Sequence, residues 1–477
     1  MTLSVNRRQI LKGAAGLGAA GLLGRVMPST APVPTTGRRR VAIVGGGAGG
    51  IMAAYFLAGS CDVTVFEALS KIGGHCDSRQ VDYQGTPLTV DVGAQFFHPA
   101  THPIYVTLLE QLGLYDPNNP DGDSTIEAPG SVCVFSRGES WPRFSSTEPL
   151  LTPVYTIDFA IYAEAARQAV LDNTSWEVRV DDWIDDLPVT PGFKDVVLLP
   201  WISALIGTTQ ANAAGSSVRS ILQSFALAFP ADLLAGASTY NSTIGLEGNL
   251  HRMLDLSPTV QVRVNSPVQS VAFDGQRWSV STSTGTHDPF DAVVMNAPPH
   301  NSTSILSGLP WAADIVGLLG QYGYFDSRIV IHDDPIYLDS DRDLWAVYNA
   351  EVTGVDCEGS VWLGGIEPKL ANGHTVDVFK SWTEHRSTQP SAIVFDRAFQ
   401  HPLITPDVIR ATRALHATQG RNGLYFSGQY TTGMDLQEAC VYSAMQVADA
   451  LAPDSATLAS LRALLAQKGL SGISYDV

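Results

Sequence analysis

The sequence predicts an α/β protein: a discontinuous, Rossmann-like dinucleotide-binding domain interrupted by an inserted α+β domain. Three observations predict it. Val41–Val44 reads as an apolar strand that runs into Gly45-x-Gly47-x-x-Gly50, an apolar helix, and a second strand, Val63–Phe66, ending at Glu67. Far along the chain, β-branched runs at Val260–Val264, Val271–Phe273 and Trp278–Ser281 are separated by Asp274-Gly275 and Thr284-Gly285, as in hairpins. Between and beyond these lie long stretches of other character, first helical in pattern and then strand-like.

Each part of the first block has a physical task. Gly45 permits the tight turn out of the strand, and Gly47 lets backbone approach a pyrophosphate. Gly50 lets the helix pack close to the strand, and its N-terminus offers unpaired N–H groups and the positive end of its dipole. Glu67 stands where a carboxylate accepts hydrogen bonds from ribose hydroxyls. The second block closes with Phe290–Pro298, a buried strand stopped by a proline. In the first insertion, Ile104–Leu112 and Ser217–Leu227 read as helices. In the second, Tyr324–Ile331, Leu344–Tyr348 and Val361–Gly364 read as strands.

Beyond Glu67 the chain continues Gly73-Gly74-His75 and then Asp91-Val92-Gly93-Ala94-Gln95, and much later Gly423–Met445 reads GLYFSGQYTTGMDLQEACVYSAM. These three segments, in this order, resemble the flavin-containing amine oxidase superfamily. The GGH variant, His401-Pro402 and Glu438 bring it nearest a subgroup close to the polyunsaturated fatty acid isomerases and fungal FAD-dependent dehydrogenases. The resemblance implies FAD as cofactor. It assigns cofactor binding to Gly45, Gly47, Gly50, Glu67, Gly73, Gly74, His75, Gly93, Ala94, Val268, Gly428, Gln429, Asp435 and Leu436. It also implies FAD-binding blocks over 40–102, 245–300 and 411–460, and a substrate domain of six strands backed by helices over 103–244 and 301–410. Where the superfamily has Glu after the C-terminal Gly, this chain has Gln429.

Amine oxidases of the superfamily carry a lysine that holds a water at the flavin. No lysine occurs between Lys194 and Lys369, and the segment aligned with that position, Tyr324–Val330, offers Arg328. This favours carbon-centred over amine chemistry. Arg328 has the fork geometry to bind a carboxylate, and the resemblance brings Gln95 and His98 near the flavin. His98, Gln95 and Arg328 are therefore the catalytic candidates. A helix starting at Asp435-Leu436-Gln437 would direct its N-terminal amides at the flavin edge where negative charge develops.

Composition bounds the rest. The chain has 477 residues, 45% of them hydrophobic and 16% charged, enough for two domains. Residues 1–31 carry Arg7, Arg8, Lys12 and Arg25 and no acid, followed by a Gly/Ala/Leu run, and resemble a twin-arginine export signal. That run is too short and too weakly apolar for a stable membrane span. Without it, 25 basic residues face 47 acidic ones, a formal charge of −22. Such a surface repels nucleic acid and anionic membrane. The cysteines Cys61, Cys76, Cys133, Cys357 and Cys440 have neither metal-site nor disulfide-framework spacing, and no metal centre is expected. The expected function is that of an exported FAD-dependent oxidoreductase. It would remove a hydride from a C–H or C–N bond of a small, largely apolar substrate, with oxygen as the candidate acceptor. The alternatives are a double-bond isomerase of unsaturated fatty acids and a non-catalytic flavin-binding partner protein; the oligomeric state is not legible.

Overall fold

The structure, a computed structural model, describes residues 37–230, 236–367 and 375–477; the twin-arginine segment lies outside them. Its first sheet is parallel and five-stranded, in the order Leu424–Phe426, Ala292–Met295, Arg39–Val44, Cys61–Phe66, Gln261–Arg263. Pieces of chain nearly 400 residues apart thus share one ladder, with Val41 beside Ala292 and Val293 beside Leu424. The alternation along the first strand explains its unbroken apolar run. Val41 and Ile43 face one core with the helices Ala48–Leu57 and Gln437–Leu451. Ala42 and Val44 face another, under the antiparallel strands Val268–Phe273, Trp278–Thr282 and Gly285–Phe290. A sheet covered on both faces needs apolar residues at every position.

The second sheet has seven strands rather than the six expected. Their order is Ile393–Leu403, Gly323–His332, Phe379–Trp382, Asp356–Trp362, Tyr348–Thr353, Val132–Phe135, Phe144–Ser145. The last two come from the first insertion, where the sequence shows helical patterns. The four-residue run Val132–Phe135 is too short to show a period, and it is fixed by parallel pairing with Tyr348–Glu351. Helices Pro153–Leu171, Leu199–Ile206 and Val218–Phe225 back this sheet. Leu344–Tyr348 is not a strand; Arg342–Leu344 forms a 3-10 turn capped by Asp341, and the strand begins at Tyr348.

The cores do not follow the boundaries drawn from sequence. Helix Pro103–Gln111, expected in the inserted domain, buries Ile104, Leu108 and Leu109 in the core of the cofactor-side sheet. Helices Pro299–Leu306 and Ala313–Leu319 likewise place Leu306 and Ile315 with Ala42 and Val44. Among the described residues no helix is long and apolar enough to cross a membrane.

Candidate active site

The strand Arg39–Val44 ends at Gly45, whose φ of +106° turns the chain while its N–H donates to the Phe66 carbonyl at 2.8 Å. A Cβ on Gly50 would lie 2.2 Å from the Gly45 carbonyl oxygen, so only glycine lets the helix start this close to the strand. Glu67 is buried, its two oxygens accepting from the Gly46 N–H at 2.7 Å and the Leu69 N–H at 2.8 Å. Asn296 spans the loop, donating from Nδ2 to the Gly45 carbonyl at 3.1 Å. These residues wall a cleft of about 480 Å³ together with Gly47, Gly73, Gly74, Val268 and Gln429. Gly50 and Gly428 stand behind the lining; Gly428 comes so close to the helix start that a Cβ on Gly49 would meet its Cα at 2.7 Å.

A second cavity, about 340 Å³, opens from the same place. It shares His75, Ala94, Asp435, Leu436 and Gln437 with the cleft. Its walls are mostly apolar, including Ile206, Ile221, Phe225, Phe325, Trp382 and Leu403. Gly93 packs against the Gly73-Gly74-His75 turn, since a Cβ there would lie 2.0 Å from the His75 carbonyl oxygen.

Sequence reasoning missed the charged group of this cavity. Lys380, on the strand Phe379–Trp382, is fully buried, and its Nζ donates to the Gly93 carbonyl at 2.5 Å and to Gln95 Oε1 at 3.3 Å. Burial lowers its pKa, opposed by the Asp91 carboxylate, which burial in turn raises. The aligned segment lies in the stretch between Lys194 and Lys369, which has no lysine, but Lys380 arrives from the neighbouring strand, in register with Ile331. A lone lysine within the otherwise strand-like Val378–Trp382 was the available signal.

The three catalytic candidates separate. Gln95 lines the cavity and is held between Lys380 and Asn241, to whose Oδ1 its Nε2 donates at 3.2 Å. His98 also lines it, but its Nδ1 accepts the Ala100 N–H at 3.0 Å, which ties the ring to its own turn. Burial pushes its pKa down to about 4. Arg328 does not line the cavity. It lies on the strand Gly323–His332 with its side chain paired to Asp396 on the next strand, away from the cavity. Its neighbour Ile329 lines the cavity instead.

His75, Asp435 and His401 meet where cleft and cavity join, with their ligand atoms within 4.8 Å of one another. Burial and the adjacent His401 lower the His75 pKa to about 4. Asp435 lines both hollows; burial pushes its pKa up, yet the hydrogen bond with His401 holds it below the usual carboxylate range. Gln437 opens the helix Gln437–Leu451 at this junction and lines both hollows. Cys76 lines the cleft, but burial pushes its thiol well up, leaving it protonated.

A glycine cradle, a helix N-terminus, a carboxylate at the second strand end and a second helix N-terminus beside an apolar cavity fit FAD. Residues 48–319, more than half of the chain, match the family model described as flavin containing amine oxidoreductase. Residues 4–24 match that of the TAT (twin-arginine translocation) pathway signal sequence, so the chain carries an export signal of that type. A search of curated protein sequences returns no match. Solved structures of the same fold include cyclohexylamine oxidase from Brevibacterium oxydans IH-35A, at 14% identity and a TM-score of 0.61 over 88% of this chain and 99% of that one. A mutant of putrescine oxidase aligns at 16% identity and a TM-score of 0.60 over 87% and 99%. The CLA-producing fatty acid isomerase from P. acnes aligns at 13% identity and a TM-score of 0.60 over 86% and 98%. The chain thus belongs to the flavin-containing amine oxidoreductase family and is an FAD-dependent oxidoreductase.

Proposed function

We propose that the enzyme removes a hydride from a C–H or C–N bond of a small, largely apolar substrate held in the 340 Å³ cavity. The observation that carries this reading is the shared wall: His75, Ala94, Asp435, Leu436 and Gln437 belong to both hollows, so a substrate in one reaches a cofactor in the other. Bound in the cleft, FAD supplies the two-electron acceptor. The protein's own part is binding, orientation and electrostatics. Gly45, Gly47, Glu67, Gly73, Gly74, Val268 and Gln429 hold the cofactor, and the apolar walls exclude water from the reacting bond. Lys380 fixes the Gly93 carbonyl and Gln95, and so sets the floor of the cavity. With this lysine present, amine substrates stand on equal terms with carbon-centred ones. Oxygen as terminal acceptor belongs to the same proposal.

Anaerobic mixing of the FAD-loaded protein with alkylamines and with polyenoic acids tests it, read as bleaching of the flavin bands. Bleaching by at least one class, followed by recovery in air, is the expected result. A flavin that no candidate of either class bleaches overturns it. A second reading, double-bond isomerisation, is supported by the likeness to the fatty acid isomerase. It predicts shifted double bonds in polyenoic acids with no consumption of oxygen.

A further inference from the structure

The strand Ile393–Leu403 brings one histidine to the junction of cleft and cavity, and that histidine is unusually constrained. The His401 ring is stacked between His75, at 4.9 Å and 25°, and Phe325, at 5.7 Å and 24°. Its Nδ1 lies 3.2 Å from Asp435 Oδ2, while its Nε2 is buried without a partner among the described residues. The stack fixes the plane of the imidazole, and the carboxylate fixes its rotation and tautomer. An ionised Asp435 accepts only, so Nδ1 carries the proton and Nε2 keeps a free lone pair. Burial keeps His75 neutral, so it does not compete for Asp435. The fold has thus oriented an imidazole at the junction of cleft and cavity, paired to a carboxylate through one nitrogen and unpartnered at the other.

We infer that His401 is the proton acceptor of this site: its Nε2 takes the proton that an O–H or N–H group of the substrate gives up, and Asp435 acts through it as the positioning residue. The step is a heterolytic proton transfer. The substrate's X–H bond breaks with its electron pair left on X, an N–H bond forms at Nε2, and the imidazolium is stabilised by Asp435. The inference rests on the proposed function for the identity of the cavity as a substrate site, and it restricts the substrate to molecules with a dissociable proton beside the oxidised carbon, namely amines and alcohols.

The test uses FAD-loaded protein labelled with ¹⁵N-histidine, as wild type, Asp435→Asn and His401→Gln. Without substrate, the resonances lost in His401→Gln should report the Nδ1–H tautomer in wild type. They should switch to the Nε2–H form in Asp435→Asn, whose amide donates to Nδ1. Finding Nε2–H in the wild type, or stoichiometric zinc or another metal held at these residues, overturns the inference whether or not a substrate has been found. With an amine or alcohol that bleaches the flavin, both variants should slow bleaching about 100-fold or more while substrate affinity stays within a few-fold. Rates within threefold of wild type overturn it. Failure of every substrate to bleach the flavin, with the tautomer as expected, counts against the proposed function alone. Equal flavin content in the three proteins guards against misfolding.

Discussion

Lys380 is enclosed by protein and, among the described residues, its ammonium has two acceptors, Gly93 O and Gln95 Oε1. Removing one partner of a buried polar group leaves the others unpaired, which costs stability. Lys380→Met should therefore fold and keep its FAD but lose about 1–3 kcal/mol of stability, read by chemical denaturation. Flavin bleaching by substrate should also slow on the order of 100-fold, the usual effect of losing a fixed donor at a reacting centre. Arg328→Ala is the companion measurement. Its exposed pair with Asp396 is worth about 0–1 kcal/mol, and bleaching should stay within twofold of wild type. A reversed pattern would return Arg328 to the site and remove Lys380 from it. The two residues also mark what a sequence can carry. Gly45, Gly47 and Glu67 were legible because their roles are local to one strand–turn–helix unit. The Lys380 contact to Gly93 spans 287 residues and depends on strand order, which no local period encodes.

At the scale of elements, the helix Gln437–Leu451 does more than face the cleft. Glu438, in its first turn and fully buried, reaches across to the start of the helix Pro103–Gln111. Its Oε1 accepts the Ile104 N–H at 3.0 Å and the Tyr475 hydroxyl at 2.9 Å, and its Oε2 accepts the Tyr105 N–H at 2.8 Å. One carboxylate thus satisfies two of the orphan donors that every helix start leaves, in place of a local cap. Burial pushes its pKa up to about 7, with the two backbone N–H bonds and Tyr475 resisting. Glu438→Gln puts an amide donor against one of those N–H groups. It should lower stability by about 1–3 kcal/mol, read by chemical denaturation, without changing the FAD absorbance. This tie explains why the helix Pro103–Gln111 joins the cofactor side although its sequence sits in the first insertion. The periodic pattern showed that the helix exists; the partner that docks it lies more than 300 residues away. The strands of the second sheet were read with the same partial success. Gly323–His332 was visible as an alternating run, whereas Val132–Phe135 is a strand only because Tyr348–Glu351 pairs with it.

For the whole molecule, the buried histidines set the response to acid. His332 is fully buried on the second sheet, its Nε2 2.8 Å from Ser381 Oγ, and burial lowers its pKa to about 4 despite the nearby Asp333 and Asp334. His102 is buried at the start of the helix Pro103–Gln111, and burial, with His98 beside it, lowers its pKa to about 3. In the unfolded chain both titrate near the ordinary 6.5. Above that pH both states hold them neutral, and they impose no pH dependence. As pH falls from about 6.5 toward 4, the unfolded chain takes up protons that the folded chain refuses, so stability is lost over that window. Each contributes a loss of about 3 kcal/mol by the lower end, and the two sites lie on different cores, so their effects should add. The opposing trend is the net charge, which becomes less negative as carboxylates protonate and so relieves self-repulsion. Buried Glu438 and Asp91, raised to about 7 and about 6 in the folded chain, act in the same direction as the net charge, because the folded chain takes up their protons first, while His75 and His98 add to the loss. Denaturant midpoints measured at pH 7 and pH 5 should therefore shift differently in the two proteins, with the double variant His102→Gln/His332→Gln losing clearly less stability than wild type over that interval. An equal drop in both proteins would place the acid sensitivity elsewhere.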